Sequence, residues 1–349
     1  MCPAHPEGDT TVSVVTIAPS HSSLAEIGGL LRRLQRNYIA TLATVEVIVV
    51  IVMGLTTHGS FLRTSSLRTS FVDIAVNLGP VVGLTMVILT GGIDVSVASV
   101  VAVDASVVGL AFEHGVPFVL VLFLGLIGGA LAGAVNAFLI VGTKIPPIVA
   151  TLATSSIWLA VSFWILGGNW ITAIPSSLST ITSISGIGPL PWSLVFVLAV
   201  TLSAGYFMRQ RRLGRVIYAV GNNLEAAKTS GLPVARAQVM VYVTIGLLTG
   251  LATLLLVGQS PVVSPETGGS IFLPVLAAVV VGGTSITGGR GSILGSVLGV
   301  VLVELVNDAV VLYHVNPFWD DVVLGVIIVV AVMIGLGSRY TSAIGEGKL

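Results

Sequence analysis

The sequence predicts an all-α membrane protein of about ten transmembrane helices with both termini in the cytoplasm. Of its 349 residues 54% are hydrophobic and only 9% are charged, which is too little polar surface to cover a water-soluble globule of this size. From Tyr38 onward, apolar runs of about twenty residues follow one another, the length that a hydrocarbon core of ~30 Å requires. All but two of the basic residues lie in the tails or in alternate breaks between these runs, as in polytopic membrane proteins.

Residues 1–37 are polar and lack the basic-then-apolar order of a secretory signal, so they are predicted to be a largely disordered cytoplasmic tail. Residues 38–338 form the predicted transmembrane domain, and 339–349 a second cytoplasmic tail. The predicted spans are 39–57, 71–90, 95–112, 117–141, 146–166, 190–208, 236–258, 270–288, 292–314 and 317–337.

The distribution of positive charge predicts the orientation. With the amino terminus inside, thirteen of the fifteen Lys and Arg residues are cytoplasmic, and only Arg63 and Arg68 are outside. The opposite orientation would invert the positive-inside rule. The segment 167–189 carries no charged residue, in agreement with an outer position.

Several function classes find no support in the composition. The net charge is zero, which argues against a nucleic-acid partner, and the lone Cys2 cannot form an intramolecular disulfide. The five histidines have no metal-ligand spacing, so no metal site is predicted. No GxxxxGK[ST] phosphate loop is present, so we predict that the chain is not an enzyme and takes its energy from another protein.

The polar segment 209–236 holds six of the fifteen basic residues and must lie in water. Its middle, 222–231, predicts a short surface helix, because the Asn222-Asn223 pair is a plausible cap and Gly231 with the following Leu-Pro is a stop signal. A helix held in this way between two spans offers a handle by which a cytoplasmic partner could move them.

Glycines recur every four residues in two spans, and a four-residue spacing places them on one helix face where backbones can approach closely. We interpret them as tight helix packing and not as the lining of a pore; they are Gly125, Gly129 and Gly133 in the fourth span and Gly291, Gly295 and Gly299 in the ninth. Gly246 and Gly250 repeat the spacing once in the seventh span.

Two segments, 87–103 and 281–297, resemble each other: each has an apolar run, a Gly-Gly break, a small polar stretch and a new helix of small residues. Breaks of this kind serve transporters as hinges or ligand sites. Asp94 is well placed to cap the helix predicted to begin at Val95, and we favour this capping role over substrate contact.

Four blocks in order resemble the permease subunits of bacterial ABC importers for monosaccharides, the ribose, xylose and galactose type that includes autoinducer-2 permeases. The blocks are MVILTGGIDVSVASV (86–100), KIPPIVATLATSSI (144–157), GRVIYAVGNNLEAAKTSGLP (214–233), and AAVVVGGTSITGGRGSILGSVLGVVL (277–302) followed by NPFWDDVVLG (316–325). The resemblance implies a permease fold of about ten spans in the bacterial inner membrane.

The resemblance also implies partners. Glu225, Ala226, Ala227 and Gly231 look like the signature of the coupling helix that docks into a separate ATPase subunit, with Asn222 and Asn223 at its start. ATP and Mg would bind to that ATPase, so no cofactor is expected in this chain. An extracytoplasmic binding protein would deliver the solute, and a second copy or a related permease would complete the channel within the lipid bilayer.

Intramembrane polar residues are the candidates for the solute path: Asn77, Asp94, Asn136, Asn307 and Asp308. The competing interpretation is interhelical hydrogen bonding, worth about 0.6 kcal/mol each. Two departures from the resembled family, Glu304 and a Phe272-Leu273-Pro274 stretch expected to add a kink, leave the identity of the solute open.

Three other cargoes remain compatible with an ABC permease: nucleosides, autoinducer-2 and branched-chain amino acids. A secondary transporter driven by an ion gradient is the alternative of another class, and it would use Asp73, Asp94 or Glu304 as a proton or cation site.

Overall fold

The computed structural model describes residues 38–172, 174–260, 262–316 and 319–345. The predicted tail 1–37 and the last four residues lie outside these ranges. The helices are α1 Tyr38–Thr56, α2 Thr64–Leu89, α3 Val97–Glu113, α4 Phe118–Ala137, α5 Pro147–Leu166, α6 Trp192–Gln210, α7 Arg212–Asn222, α8 Leu224–Thr229, α9 Val234–Gln259, α10 Phe272–Val281, α11 Ile293–Leu312 and α12 Trp319–Gly345. A π-helical turn, Phe138–Gly142, extends α4.

A long helix coincides with nearly every predicted span. Within the described ranges seven helices are long and apolar enough to cross a membrane, namely α1, α2, α4 with its π turn, α5, α6, α9 and α11. The polar segment 209–236 stands apart as α7 and α8, on what we call the basic face of the bundle. On the opposite face, α5 and α6 are joined through a two-stranded hairpin, Gly186–Ile187 and Leu190–Pro191.

The eighth predicted span, 270–288, is wrong in length. Its helix α10 covers only the ten residues Phe272–Val281, about 15 Å at 1.5 Å per residue, which is half of a hydrocarbon core. Gly283 adopts a φ of +82° just after the helix and turns the chain back. Pro274 lies in the first turn, where its missing N–H has no intrahelical role, so the expected kink is not required.

Helix α2 lies at the centre of the bundle. In an apolar stretch of 18 residues of this helix, 83% of the residues are buried inside the protein. The corresponding share for the peripheral α1 is 17%. Its second half packs against α9, α11 and α6, and Leu78, Leu84, Ile88 and Leu89 are fully buried. Its end therefore moves only with the helices around it.

Glycines bring α4 and α9 into backbone contact. A Cβ at Gly129 would lie 2.8 Å from the Cα of Gly250, and one at Gly246 would lie 2.8 Å from the N of Gly133. Neither distance is compatible with a side chain, so the close approach depends on these glycines. Gly125 meets the side chain of Leu254 one turn further along.

Helices α10 and α11 use the same device. A Cβ at Gly299 would clash with the backbone of Ala278, and one at Gly295 with the backbone of Gly282. Gly291, which we had placed on the same helix face, precedes the helix: α11 begins at Ile293 and Gly291 has a φ of +151°. Gly291 instead lies against Thr284 in the connection that leads into α11.

Candidate functional site

Asp94 lies in the break between α2 and α3 and is 2% exposed. Its Oδ1 accepts hydrogen bonds from the backbone N–H of Ser96 at 2.9 Å and from the Ser96 hydroxyl at 2.6 Å. Helix α3 begins at Val97, two residues later than expected. The carboxylate therefore holds the turn that leads into α3, as an Asx-type bond to the residue before the helix.

Asn136 of α4 connects this turn to α5. Its amide donates to the Ser96 hydroxyl at 2.8 Å and to Asp94 Oδ2 at 3.3 Å, and its carbonyl accepts from the Thr154 hydroxyl at 2.7 Å. All four side chains are buried. We call Asp94, Ser96, Asn136 and Thr154 the break cluster; it ties α4 and α5 to the start of α3.

Replacing Asn136 with alanine is expected to lower the thermal unfolding temperature in detergent. The substitution removes one donor from Asp94 and the acceptor of Thr154, and a buried polar group without a partner costs about 1–3 kcal/mol. A matched control is Ser203→Ala on α6, because that exposed hydroxyl bonds only to the carbonyl of Ala199 in its own helix. Equal unfolding temperatures for both variants would contradict a stabilising role for the cluster.

A second polar group lies near the opposite face. Asp308 of α11 accepts from the Ser70 hydroxyl at 2.6 Å, and the Gln259 amide of α9 donates to Asp73 Oδ1 at 3.1 Å. Ser70 and Asp73 lie three residues apart on α2, so the two hydrogen bonds lie at the same level of the bundle. Asn77 donates to the Asp73 carbonyl one turn away, at 3.1 Å. This group joins α2, α9 and α11.

The structure does not gather the five candidate path residues into one site. Asp94 and Asn136 form the break cluster, whereas Asn77 and Asp308 belong to the second group. On α2, Ser70 belongs to the second group and Leu89 is the last residue before the break that holds Asp94. The nineteen residues from one to the other span roughly 28 Å at the helical rise. Asn307 is half-buried, and its Oδ1 has no hydrogen-bond partner within the described ranges.

Helix α8 is a capped, exposed turn and a half on the basic face. The side chain of Asn223 accepts from the backbone N–H of Ala226 at 2.9 Å, so Asn223 is the N-cap residue. Glu225 and Lys228 are exposed and paired at 2.8 Å, while Ala227 is buried against the bundle. Gly231 ends the helix with a φ of +70°, and a Cβ there would meet no atom of the described residues within 4 Å.

Three backbone segments meet beneath α7 at what we call the junction: the end of α2, Gly221 of α7, and the connection 284–291. The N–H of Gly289 donates to the carbonyl of Leu89 at 3.0 Å. A Cβ at Gly221 would overlap the Leu89 carbonyl and the Gly289 nitrogen. Both helix breaks and α7 are thus held together by contacts that leave no room for a side chain.

Two side chains of α7 reinforce the junction. The Tyr218 hydroxyl donates to the carbonyl of Gly291 at 3.2 Å, and the Asn222 amide donates to that of Gly289 at 3.4 Å. Burial raises the pKa of Tyr218, against the nearby charge of Arg209, so the hydroxyl stays protonated and able to donate. Two side chains of α7 are therefore hydrogen-bonded to the connection between α10 and α11.

Sequence reasoning missed several of these residues. Tyr218, Gly221 and Gly289 lie in quoted motifs, but nothing in their spacing indicated that segments more than 60 residues apart meet. Thr151 and Thr154, three residues apart in α5, carried a detectable signal, since that spacing puts two hydroxyls on one face. Within the described ranges no group of three or more His, Cys, Asp or Glu side chains is arranged to hold a metal ion.

Residues 80–332 match the family model described as "Branched-chain amino acid transport system / permease component". The chain is 36% identical to the autoinducer 2 import system permease protein LsrC of Klebsiella pneumoniae, over 70% of this chain and 71% of that protein. It is 36% identical to the ribose import permease protein RbsC of Bacillus subtilis, over 82% and 89%. It is 34% identical to the fructose import permease protein FruG of Bifidobacterium longum, over 90% and 95%. No solved structure matches the chain significantly.

Proposed function

The chain belongs to the family of branched-chain amino acid transport system permease components, and from this premise we propose that it carries a monosaccharide into the cytoplasm. It is a multi-pass membrane protein and the permease subunit of an ATP-binding-cassette importer. Membership of this family implies an ATPase and a solute-binding protein as partners. Ribose and fructose import by two relatives of high coverage supports the choice of sugar.

In this proposal the ATPase docks on α8, and ATP and Mg bind to the ATPase and not to this chain. The observation that carries it is the exposure of a short, capped helix whose Ala227 face packs on the bundle while Glu225 and Lys228 face outward. Gly231 leaves open space where a partner surface can approach the backbone. Hydrolysis therefore takes place outside this chain, which supplies the channel.

Motion passes from α8 through α7 to the junction. Asn223 caps α8 directly after the last residue of α7, so the two short helices are linked without a flexible loop. The junction joins α7 to the ends of α2 and α10 and to the start of α11. Small shifts at a packed interface convert into discrete rearrangements because such interfaces are bistable, which suits alternating access.

The basic face lies in the cytoplasm in this proposal, together with both termini. The support is the positive-inside distribution, since Arg209, Arg211, Arg212 and Arg215 cluster at the ends of α6 and α7. Solute enters from the face that carries the hairpin and leaves past the break cluster. The second half of the channel is another copy of the chain or a similar permease.

Changing Gly231 to asparagine is expected to abolish ATPase association and uptake while leaving membrane insertion intact. Asparagine tolerates a φ of +70° better than other side chains, and this chain offers no atom for it to strike, so the loss would come from the partner. Co-purification with the ATPase and uptake of labelled sugar by whole cells are the measurements.

The control is Gly59→Asn, because Gly59 also has a positive φ of +78° and open space around it but lies on the opposite face. It should retain both ATPase association and uptake. Normal association of Gly231→Asn with the ATPase would refute docking on α8. Uptake by the purified chain alone, driven by an ion gradient, would favour a secondary transporter.

A further inference from the structure

A cavity of about 840 Å³ opens on the basic face between α8, the first turn of α9 and the connection from α4 to α5. Its walls are mostly apolar and include Ile140, Val141, Ile145 and Val234. Gly91 and Gly92, from the break between α2 and α3, also line it, together with Tyr242. None of the family assignments above gives this cavity an occupant.

All charged residues that line the cavity are cations: Lys144, Lys228 and Arg236. Lys228 is paired with Glu225, but neither Lys144 nor Arg236 forms an ion pair within the described part of the chain. Lys144 is fixed in the short connection with a φ of +62°. The cavity therefore holds a net positive charge that no side chain of the described ranges neutralises.

Two long helices begin at the cavity. α5 starts behind Pro146 and α9 behind Pro233, and neither cap residue supplies a side-chain hydrogen bond to the first turn. Pro147 has no N–H and the N–H of Val234 donates to the carbonyl of Leu232 at 2.8 Å, so the contribution of these helix starts is the positive end of the helix dipole, which favours an anion. Lys144 precedes the start of α5 by three residues and Arg236 lies in the first turn of α9, so the charged side chains and the helix starts that line the cavity all favour an anion.

Tyr242 gives independent evidence for a ligand. The residue is 1% exposed and lines the cavity, and its hydroxyl has no hydrogen-bond partner within the described ranges. The hydroxyl lies against Gly92, where a side chain would displace it. A buried donor without an acceptor is costly, so an acceptor that enters the cavity would be stabilised by it.

We propose that this cavity binds the phosphate headgroup of an anionic phospholipid. The cations and helix ends suit a phosphate diester. The apolar walls suit the glycerol and the upper acyl chain of a lipid, which are groups that a free phosphate ion lacks. The site stands on its own geometry, and only its assignment to the cytoplasmic leaflet rests on the proposed topology. A bound lipid contacts Leu224 and Lys228 of α8 and so links the coupling helix to the α4–α5 connection.

The test is lipid retention by the purified permease, without its ATPase. The protein is washed in detergent, exposed to phosphatidylglycerol, phosphatidylcholine or inorganic phosphate, and examined by native mass spectrometry. Retention of phosphatidylglycerol, and not of the other two, is expected. The double variant Lys144→Gln/Arg236→Gln should lose about fivefold for each cation removed.

Two further variants distinguish lipid binding in the cavity from nonspecific attraction to the basic surface. Arg212→Gln/Arg215→Gln removes the same charge from α7, outside the cavity, and should retain the lipid as the native protein does. Tyr242→Phe changes no charge and should weaken retention. Equal retention by the Lys144/Arg236 variant and its control would overturn the proposal, and so would binding of inorganic phosphate with no preference for lipid. None of these readouts requires uptake, so failure of the proposed transport function would leave the result interpretable.

Discussion

Valine in place of Gly221 is expected to reduce solute uptake to background. A Cβ at this position would overlap the carbonyl oxygen of Leu89 and lie too close to the nitrogen of Gly289. Both neighbours are backbone atoms of buried segments, so neither can move aside as a flexible side chain would. The junction would have to open, and α7 would lose its contact with the end of α2 and with the connection 284–291. Uptake of labelled sugar in cells that express equal amounts of permease measures the effect.

Gly205→Val is the matched control. Gly205 is also helical, lies at the same end of the bundle on α6, and would meet no atom within 4 Å. It should retain uptake, because the substitution only exchanges one helical residue for another with a propensity difference of a few tenths of a kcal/mol. Uptake by Gly221→Val that equals the control would show that the junction does not transmit motion.

A double variant tests the junction without added volume, in case Gly221→Val fails to insert. Tyr218→Phe with Asn222→Ala removes the two hydrogen bonds from α7 to the connection 284–291. If those bonds transmit movement, the reconstituted transporter should still hydrolyse ATP while uptake falls, so that more ATP is used per solute. A parallel fall in both activities would indicate a structural role alone.

Much of the fold could be predicted because a bilayer restricts the choices so strongly. Span length, the positive-inside rule and the Gly-Gly breaks each act locally, so α5, α6 and α9 begin and end within two residues of the predicted limits, whereas α2 begins seven residues before its predicted start. The cap of α8 at Asn223 and its end at Gly231 are likewise encoded by neighbouring residues. The glycine spacing also suggested that α4 packs closely against another helix, but it did not indicate that this helix is α9.

What the sequence could not reveal depends on contacts between distant segments. The half-length of α10 follows from the turn of the chain at Gly283, whereas the predicted span continued through Gly282 and Gly283 to residue 288. The meeting of Leu89, Gly221 and Gly289 joins three segments that no local pattern relates. The same holds for Asn136, whose partners beyond its own helix are Asp94 and Ser96, about 40 residues before it, and Thr154, 18 residues after it.

Valine at Gly246 is expected to cause the largest loss of stability. The new side chain would strike the carbonyl oxygen of Gly129 and lie 2.8 Å from the nitrogen of Gly133, so α9 and α4 would separate along their whole contact. Inserting volume into a packed core costs about 1–3 kcal/mol where side chains can adjust, and more is expected here because only backbone faces the substitution. The measurement is the thermal unfolding temperature in detergent.

Gly325→Val serves as the control, since Gly325 lies in the helix α12 and has no atom within 4 Å of its Cβ position. It should unfold at the native temperature. Similar unfolding temperatures for the two variants would mean that α4 and α9 do not need their glycines, and that the helices are held by lipid or by a second copy instead. The expected difference follows from the absence of a hydrophobic drive between helices in lipid, which leaves close van der Waals contact as the main attraction. That contact fixes α9, whose first turn borders the cavity and whose far end positions Gln259 beside Asp73.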